Sequence, residues 1–111
     1  MLILPTKKKW FDMMITGIKR EEYREIKPYY TKRLGKKFNM LDEMPLDQME
    51  IPVRFTNGYG YKVPAFIADC HLENRTGREE WGAEPGKNYY VLVIEKIIWK
   101  SMDKSGGYLK I

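Results

Sequence analysis

The chain has 111 residues, a length that fits one domain over residues 1–111 with a modest core. Hydrophobic residues make up 43% of it, which excludes wholesale disorder. The longest uninterrupted apolar run, Tyr89 to Ile94, has six residues, whereas a membrane-spanning helix needs about 20, so we expect no membrane partner. The net charge of +5 at pH 7 admits nucleic acid as a partner, and the single cysteine, Cys70, excludes an internal disulfide and favours a cytoplasmic location.

A strand and a helix are predicted at the start of the chain. Leu2–Leu4 is a short apolar run before a proline, which is typical of a strand buried on both faces. Thr6 is the expected cap of a helix over Lys7–Thr16, and Gly17 should end it because glycine tolerates the left-handed conformation that follows a helix. The predicted packed face of this helix consists of Trp10, Met13 and Met14.

Three consecutive lysines, Lys7, Lys8 and Lys9, crowd the first turn of that helix. Cations at a helix N-terminus oppose the helix dipole, so helix stability does not explain them. They are candidates for attracting an anion such as a phosphate, and the alternative is that they are simply solvated.

A charged strand and a short helix are predicted next. Lys19–Ile26 permits a strand, which a proline at position 28 ends. Tyr29–Leu34 is predicted to form a short helix that stops before Gly35, and residues 35–50 are expected to be an irregular connection.

The remainder of the chain is predicted to be mostly β-structure. Its strands are expected at Val53–Thr56, Ala65–Leu72, Tyr89–Lys100 and, as a short edge strand, Tyr108–Ile111. They are separated by an aromatic turn at 57–61, a polar loop over Glu73–Lys87 and a glycine-rich turn at 105–107. Several short strands with one or two helices in so small a chain predict an α+β fold built on a small β-barrel.

The positive charge is concentrated in the first third of the chain. Residues 1–40 hold 11 basic and 4 acidic side chains, whereas residues 41–111 hold 9 basic and 11 acidic ones. A basic segment of this kind can attract phosphates, and the alternative is an ordinary solvated surface.

The run from Gly17 to Glu25 is the most charged part of the sequence. In an extended strand, one face would carry Arg20, Glu22 and Arg24, and the other Lys19, Glu21, Tyr23 and Glu25. In a small barrel one of these faces points inward, which is costly unless the charges are paired or line a cleft. The pattern therefore predicts a polar site here, and exposed neighbouring pairs of little energetic weight are the alternative.

The pattern Gly17-x-Lys19-x-x-Glu22-x-Arg24 resembles the signature of ASCH domains, which belong to the PUA-like superfamily. The resemblance covers most of the chain, since 57–60, 80–82 and the strand over Tyr89–Ile98 also look like parts of such a domain. It implies a small PUA-like β-barrel with flanking helices that binds RNA or a nucleotide, with the signature residues lining a cleft. Lys19 would then attract a phosphate or a base carbonyl, Glu22 would accept from a base amino group, and Arg24 would offer a planar fork or hold Glu22.

The same resemblance leaves a hydrolase as the alternative function. Some ASCH proteins hydrolyse N4-acetylcytidine with the signature lysine and a threonine nucleophile, and others are described as ribonucleases that rely on the lysine. The threonine stands where this chain has Glu22, which argues against the amidohydrolase. In a ribonuclease, Lys19 and Glu22 would be the catalytic acid and base.

The aromatic residues divide into expected core and expected surface. The core candidates are Trp10, Phe11, Phe55, Phe66 and Trp99. Tyr59, Tyr61 and Trp81 lie in glycine-rich polar loops, where they could stack on unpaired bases or merely cap the barrel ends. Arg54 alternates with apolar neighbours, so it is predicted to point away from the core and to join the basic surface.

Several other kinds of site are disfavoured. Cys70 and His71 are adjacent on a predicted strand and face opposite ways, so they should not form a nucleophilic pair, although Asp69 shares a face with His71 and could bond to it. We expect no metal and no cofactor, because the chain has one Cys, one His and no phosphate or dinucleotide fingerprint. A protein-interaction module with solvated charges remains a third hypothesis, and the oligomeric state is left open.

Overall fold

The computed structural model describes residues 1–38, 49–60 and 62–101. Three predicted features lie outside the described residues: Tyr61, the turn at 105–107 and the edge strand at Tyr108–Ile111. Most of the predicted irregular connection, residues 39–48, lies outside them as well.

Five strands and two α-helices make up the described part of the chain. The strands are β1 (Leu2–Thr6), β2 (Glu21–Arg24), β3 (Ile51–Asn57), β4 (Ala65–Thr76) and β5 (Asn88–Lys100). The helices are α1 (Lys8–Ile15) and α2 (Pro28–Phe38), and a short 3₁₀-helix covers Glu79–Trp81. Neither α-helix reaches the length and apolar content that crossing a membrane requires.

The strands form a single sheet in the order β1-β3-β4-β5-β2. β1 and β3 are parallel, and the other neighbouring pairs are antiparallel. The sheet curls into a half-barrel, so its two terminal strands approach each other: Arg24 Nη2 on β2 donates to the Pro5 carbonyl on β1 at 2.9 Å. The predicted α+β class is confirmed, as a curled five-stranded sheet with two helices.

The core fills the inner face of the half-barrel. β4 contributes Phe66, Ala68, Cys70 and Leu72, and β5 contributes Tyr90, Leu92 and Ile94. The helices add Phe11, Met14 and Ile15 from α1 and Leu34 and Phe38 from α2. A smaller apolar cluster of Tyr23, Ala83, Tyr89, Val91 and Val93 lies on the opposite face of β2 and β5, so both faces of this end of the sheet are covered.

The aromatic core predictions are partly confirmed. Phe11, Phe55 and Phe66 are fully buried and pack ring against ring. The prediction was wrong for Trp99, which is 41% exposed, and for Trp10, which is half-buried. The packed face of α1 is accordingly rotated from the predicted one and consists of Phe11, Met14 and Ile15.

The first strand and the start of α1 also differ from prediction. β1 alternates between buried and exposed positions, and Ile3 is exposed because this terminal strand is covered on one face only. Thr6 does not cap the helix: its hydroxyl donates to the Thr56 carbonyl at 2.9 Å, and Lys7 takes the cap position without a side-chain bond. The predicted end of the helix is confirmed, since Gly17 has φ +85°.

Tertiary packing extends two elements beyond their predicted limits. α2 continues through Gly35 to Phe38, because Leu34 and Phe38, four residues apart, are both buried in the core. Their burial offsets the cost of roughly 1 kcal/mol for a glycine inside a helix. β4 continues to Thr76, inside the predicted polar loop, because it pairs with β5 as far as Asn88.

Cys70 and His71 lie on opposite faces of β4, as predicted. Cys70 is buried in the core, and burial raises the pKa of its thiol. The proposed bond between Asp69 and His71 is wrong: His71 Nε2 contacts Glu73 at 2.5 Å, and its Nδ1 contacts Glu95 at 2.6 Å. A bulge in the pairing of β4 with β5 skips Glu95 in the register, which re-aims this part of the strand.

The contact between Arg24 and the β1 backbone predicts a selective loss of stability. Arg24→Ala should lower the free energy of unfolding by about 3 kcal/mol, because it leaves a buried carboxylate with one cation fewer and opens the seam between the terminal strands. Urea denaturation measures this change. Arg20→Ala is the matched control, since Arg20 is exposed and should change stability by less than about 0.5 kcal/mol. Equal losses in the two variants would contradict the structural role of Arg24.

Candidate binding cleft

A cleft of about 400 Å³ lies beside β2, between α1 and the segment 77–87. It is lined by Lys7 and Trp10 from the start of α1, by Glu22, Tyr23 and Glu25 from β2 and its end, and by Trp81, Gly82, Glu84, Lys87 and Tyr89 from the facing segment. β2 is a terminal strand of the sheet, so its outer edge is open to such a cleft. Of the three predicted cleft residues Lys19, Glu22 and Arg24, Glu22 is the one that lines this concave surface.

Glu22 is the charged group at the base of the cleft. It pairs in register with Leu92, so it projects to the inner face of the sheet, and it is 7% exposed. Its Oε1 lies 3.1 Å from Lys19 Nζ and accepts from the Tyr23 amide at 3.2 Å, while its Oε2 accepts from Arg24 Nη2 at 3.0 Å. A carboxylate can accept about four hydrogen bonds. The described residues supply three donors, which leaves acceptor capacity on Oε2 for a ligand.

Lys19 lies behind Glu22 and does not line the cleft. Its side chain is 0% exposed, with Nζ 5.4 Å from the centre of the Trp10 ring and 4.7 Å from that of Tyr23, and it also donates to the Glu21 carbonyl. Burial lowers the pKa of Lys19, and the attraction of Glu22 offsets only part of that effect. In this position Lys19 holds the carboxylate and does not itself meet a ligand.

The predicted faces of the charged run are half right. Glu22 and Arg24 share one face of β2, opposite Glu21, as predicted, and the structure shows that this face is the inner one. The assignment of Lys19 to the opposite face was wrong, because β2 begins at Glu21 and Lys19 belongs to the turn before it, where its amide donates to the Met13 carbonyl at 2.9 Å.

Arg24 joins three parts of the fold around the same carboxylate. Besides its bonds to Glu22 and to the Pro5 carbonyl, Nη1 contacts the Tyr30 hydroxyl of α2 at 3.4 Å. Burial alone would lower the pKa of Arg24, but the attraction of Glu22 and the bond to Tyr30 raise it overall. Arg24 is thus a positioning cation for Glu22, and like Lys19 it is not part of the cleft lining.

Two glycines bring the facing segment into close contact with the cleft aromatics. Gly82 has φ +101°, and a Cβ there would lie 2.9 Å from Trp10 Cζ2. A Cβ on Gly77 would lie 2.4 Å from Tyr23 Cε1. The Tyr23 hydroxyl also accepts from the Arg78 amide at 2.9 Å. These contacts fix the distance between the two walls of the cleft.

The cleft carries charges of both signs. Lys7 and Lys87 line it together with Glu22, Glu25 and Glu84, and Lys87 lies 3.8 Å from Glu25. Such a surface does not select a polyanion by charge alone. It favours a ligand that offers hydrogen-bond donors as well as a planar surface for Trp10 and Trp81.

The other predicted site residues are dispersed. Trp81 lines the cleft, with the Arg78 guanidinium 4.8 Å above its ring. Lys8 and Tyr59 line a second groove, which Lys7 also borders. Lys9 places Nζ 4.6 Å from the centre of the Trp10 ring.

Arg54 points away from the core, as predicted, and packs 5.0 Å above the Trp99 ring; it lines neither the cleft nor the second groove. The main residue that sequence reasoning missed is Trp10, which was assigned to the core from its apolar spacing. No local signal marked Gly82 as its contact.

A second ionic network lies on the outer face of β2, next to Tyr23 and opposite Glu22. Arg75 Nη2 is 2.7 Å from Glu21 Oε2, and its Nε is 2.5 Å from Glu73, which in turn contacts His71. Burial by itself would raise the pKa of Glu21, but hydrogen bonds from Arg75 and Tyr23 lower it overall. Hydrogen bonds with His71 and Arg75 likewise lower the pKa of Glu73.

The chain was compared with protein-family models, with curated proteins and with solved structures. None of the three comparisons finds a match.

The contact between Gly82 and Trp10 predicts the effect of a methyl group. Gly82→Ala and Gly86→Ala both place alanine at a positive φ, a cost of roughly 1 kcal/mol each, but only at position 82 does the new Cβ meet a ring. Gly82→Ala should therefore destabilise the protein more than Gly86→Ala and should change the near-UV circular dichroism of the tryptophans. If the two variants have equal stability and identical spectra, the wall contact is not as described.

The ion pair of Glu21 with Arg75 predicts an acid-dependent stability. Because the pKa of Glu21 is lower in the folded state than its usual value of 4.5, the pair stabilises the protein fully above about pH 4.5 and progressively less as the pH falls through the folded value. Glu21→Gln should flatten the decline of the free energy of unfolding between about pH 5 and pH 3. Glu80→Gln, at an exposed position in the 3₁₀-helix, is the control and should change the free energy of unfolding at pH 7 by less than about 0.5 kcal/mol.

Proposed function

We propose that the protein binds RNA or a nucleotide by taking one unpaired base into the cleft beside β2. The observation that carries this proposal is the position of Glu22, an oriented carboxylate with remaining acceptor capacity at the base of a cleft lined by Trp10 and Trp81. Single bases are typically held between aromatic side chains and read by hydrogen bonds to their edges.

The dimensions and lining of the cleft fit a single base. A volume of about 400 Å³ is within the usual range for small-ligand sites, about 300–1,000 Å³. Stacking on a tryptophan contributes about 1–3 kcal/mol per base and tolerates any base. The aromatic walls therefore supply affinity, whereas selection among bases must come from the polar groups.

Glu22 supplies that selection. An ionised carboxylate only accepts hydrogen bonds, so it favours a base with an exocyclic amino group, such as cytosine or adenine, over uracil. Lys19 and Arg24 hold both of its oxygens in place, so the carboxylate does not need to be ordered when the ligand binds. Lys7 and Lys87 at the rim are the cations that would meet the ligand's phosphate.

The resemblance to ASCH domains supports the same proposal, because it associates Lys19, Glu22 and Arg24 with RNA recognition. It also carries the finer fold assignment, in which the half-barrel is a PUA-like barrel. A cytoplasmic location, where RNA and nucleotides are present and Cys70 stays reduced, belongs to this proposal.

Trp81 lines the cleft and Trp99 does not, so the two tryptophans allow a matched test of binding. Trp81→Ala should weaken the binding of cytidine 5′-monophosphate about 10-fold or more, because a stacking wall is lost. Trp99→Ala should have no effect, since Trp99 is 41% exposed and lies outside the cleft. Isothermal titration calorimetry measures both affinities. Absence of binding to every common mononucleotide and to short single-stranded RNA would refute the proposal.

The role of Glu22 predicts a change in base preference. The wild type should bind cytidine monophosphate more tightly than uridine monophosphate, and Glu22→Gln should bring the ratio of the two affinities close to one. A general loss of structure would weaken the binding of both nucleotides and leave the ratio of their affinities unchanged. An unchanged ratio in a folded Glu22→Gln variant would therefore remove Glu22 from base selection.

A hydrolase is the second candidate, and the lowered pKa of Lys19 beside Glu22 is the observation that favours it. Because Lys19 is enclosed, Glu22 would be the group that contacts the reacting atoms, with Lys19 as its proton partner. The candidate requires that the wild type cleaves RNA or deacetylates N4-acetylcytidine and that Lys19→Met abolishes turnover while cytidine monophosphate still binds. Without turnover, the protein is a binder.

A further inference from the structure

A second groove of about 450 Å³ opens beside the cleft, at the ends of the parallel strands β1 and β3. It is lined by Pro5, Thr6, Lys7, Lys8, Asn57, Gly58 and Tyr59. Lys7 is the one residue of this groove that the proposed function already uses. Its lining combines two lysines with an exposed tyrosine.

Tyr59 is presented by an anchored loop. The side chain is 87% exposed, although a ring of this size normally gains from burial. The loop before it is held at its base, since the Gly58 amide donates to the Thr6 carbonyl at 2.9 Å and the Asn57 amide to the Pro64 carbonyl at 2.9 Å. Gly58 and Gly60, on either side of the tyrosine, have φ of +82° and +109°, values that glycine adopts without strain. An exposed ring on a loop anchored in this way is suited to stacking.

Lys7 connects the groove to the cleft. It is a lining residue of both, so the two cavities adjoin at its side chain. In the part of the chain that the structure describes, Lys7 has no carboxylate partner, in contrast to Lys8, which is paired with Asp12. A cation between two aromatic subsites is the arrangement that a phosphodiester linking two stacked bases would meet.

We propose that the ligand is a single strand of at least two nucleotides, with one base in the cleft, the linking phosphate at Lys7 and the adjacent base on Tyr59. This inference depends on the proposed function and narrows it, from RNA or a nucleotide to a single-stranded oligonucleotide. Tyr59 recognises any base through its ring, whereas Glu22 selects only the base in the cleft. The oligonucleotide is therefore bound base-specifically in the cleft and without base preference at the adjacent nucleotide.

The test compares ligands that each contain one phosphate group, a diester in CpC and a more highly charged monoester in the mononucleotides. Binding of the dinucleoside monophosphate CpC is measured against cytidine 3′-monophosphate and cytidine 5′-monophosphate by calorimetry at fixed salt. The wild type should bind CpC about 5- to 100-fold more tightly than either mononucleotide, the gain expected from stacking on one further aromatic. Because all three ligands carry one phosphate, extra phosphate groups cannot explain such a gain.

Variants assign the gain to the second groove. Tyr59→Ala should reduce CpC affinity to the mononucleotide level and leave the mononucleotides unaffected. Lys7→Ala should weaken CpC and reduce the dependence of its affinity on salt, whereas Lys36→Ala, an equal loss of charge at an exposed position on α2, should do neither.

The outcomes separate this inference from the function on which it depends. If CpC binds no more tightly than the mononucleotides, or if Tyr59→Ala keeps the full gain, the two-nucleotide assignment is overturned while base binding in the cleft stands. If neither CpC nor any mononucleotide binds, the proposed function itself fails, and this inference fails with it.

Discussion

The structure depends on one buried carboxylate and the two cations that hold it. Glu22 lies between Lys19 and Arg24, and together these side chains connect the turn before β2, both terminal strands of the sheet and α2. Removing three charges from water is expensive, and their mutual attraction offsets that cost only while all three remain paired. The half-barrel therefore closes through a polar contact, whereas its interior is held by apolar packing.

The same carboxylate connects stability with recognition. Lys19 and Arg24 hold its two oxygens, and the cleft that it lines is also lined by Trp10 and Trp81. A recognition group that is already ordered loses little entropy when the ligand binds. The fold therefore supports a small cleft with a fixed acceptor, even though the enclosing segment 77–87 contains little regular structure.

The overall charge and the site charge act at different distances. Residues 1–40 contain nearly three times as many basic as acidic side chains, and exposed lysines on α2 contribute to this surplus. Such a surplus can attract a phosphate-bearing ligand over roughly a Debye length, about 8 Å at physiological salt. At contact distance the cleft is mixed in sign, so hydrogen-bond geometry and stacking decide which ligand remains.

The sequence by itself determined the class of fold, the strand over Tyr89–Lys100, the end of the first helix at Gly17 and the placement of Glu22 and Arg24 on one face of their strand. These features are local, because strand alternation and glycine conformation are set by a few neighbouring residues. Only the tertiary structure decided that Lys19 lies behind the carboxylate and that Trp10 borders the cleft. Both depend on the curl of the sheet and on the contact of Trp10 with Gly82, 72 positions further along the chain. Periodicity contains no information about which distant segments meet, so the cleft could be predicted as a polar site but not assembled from the sequence.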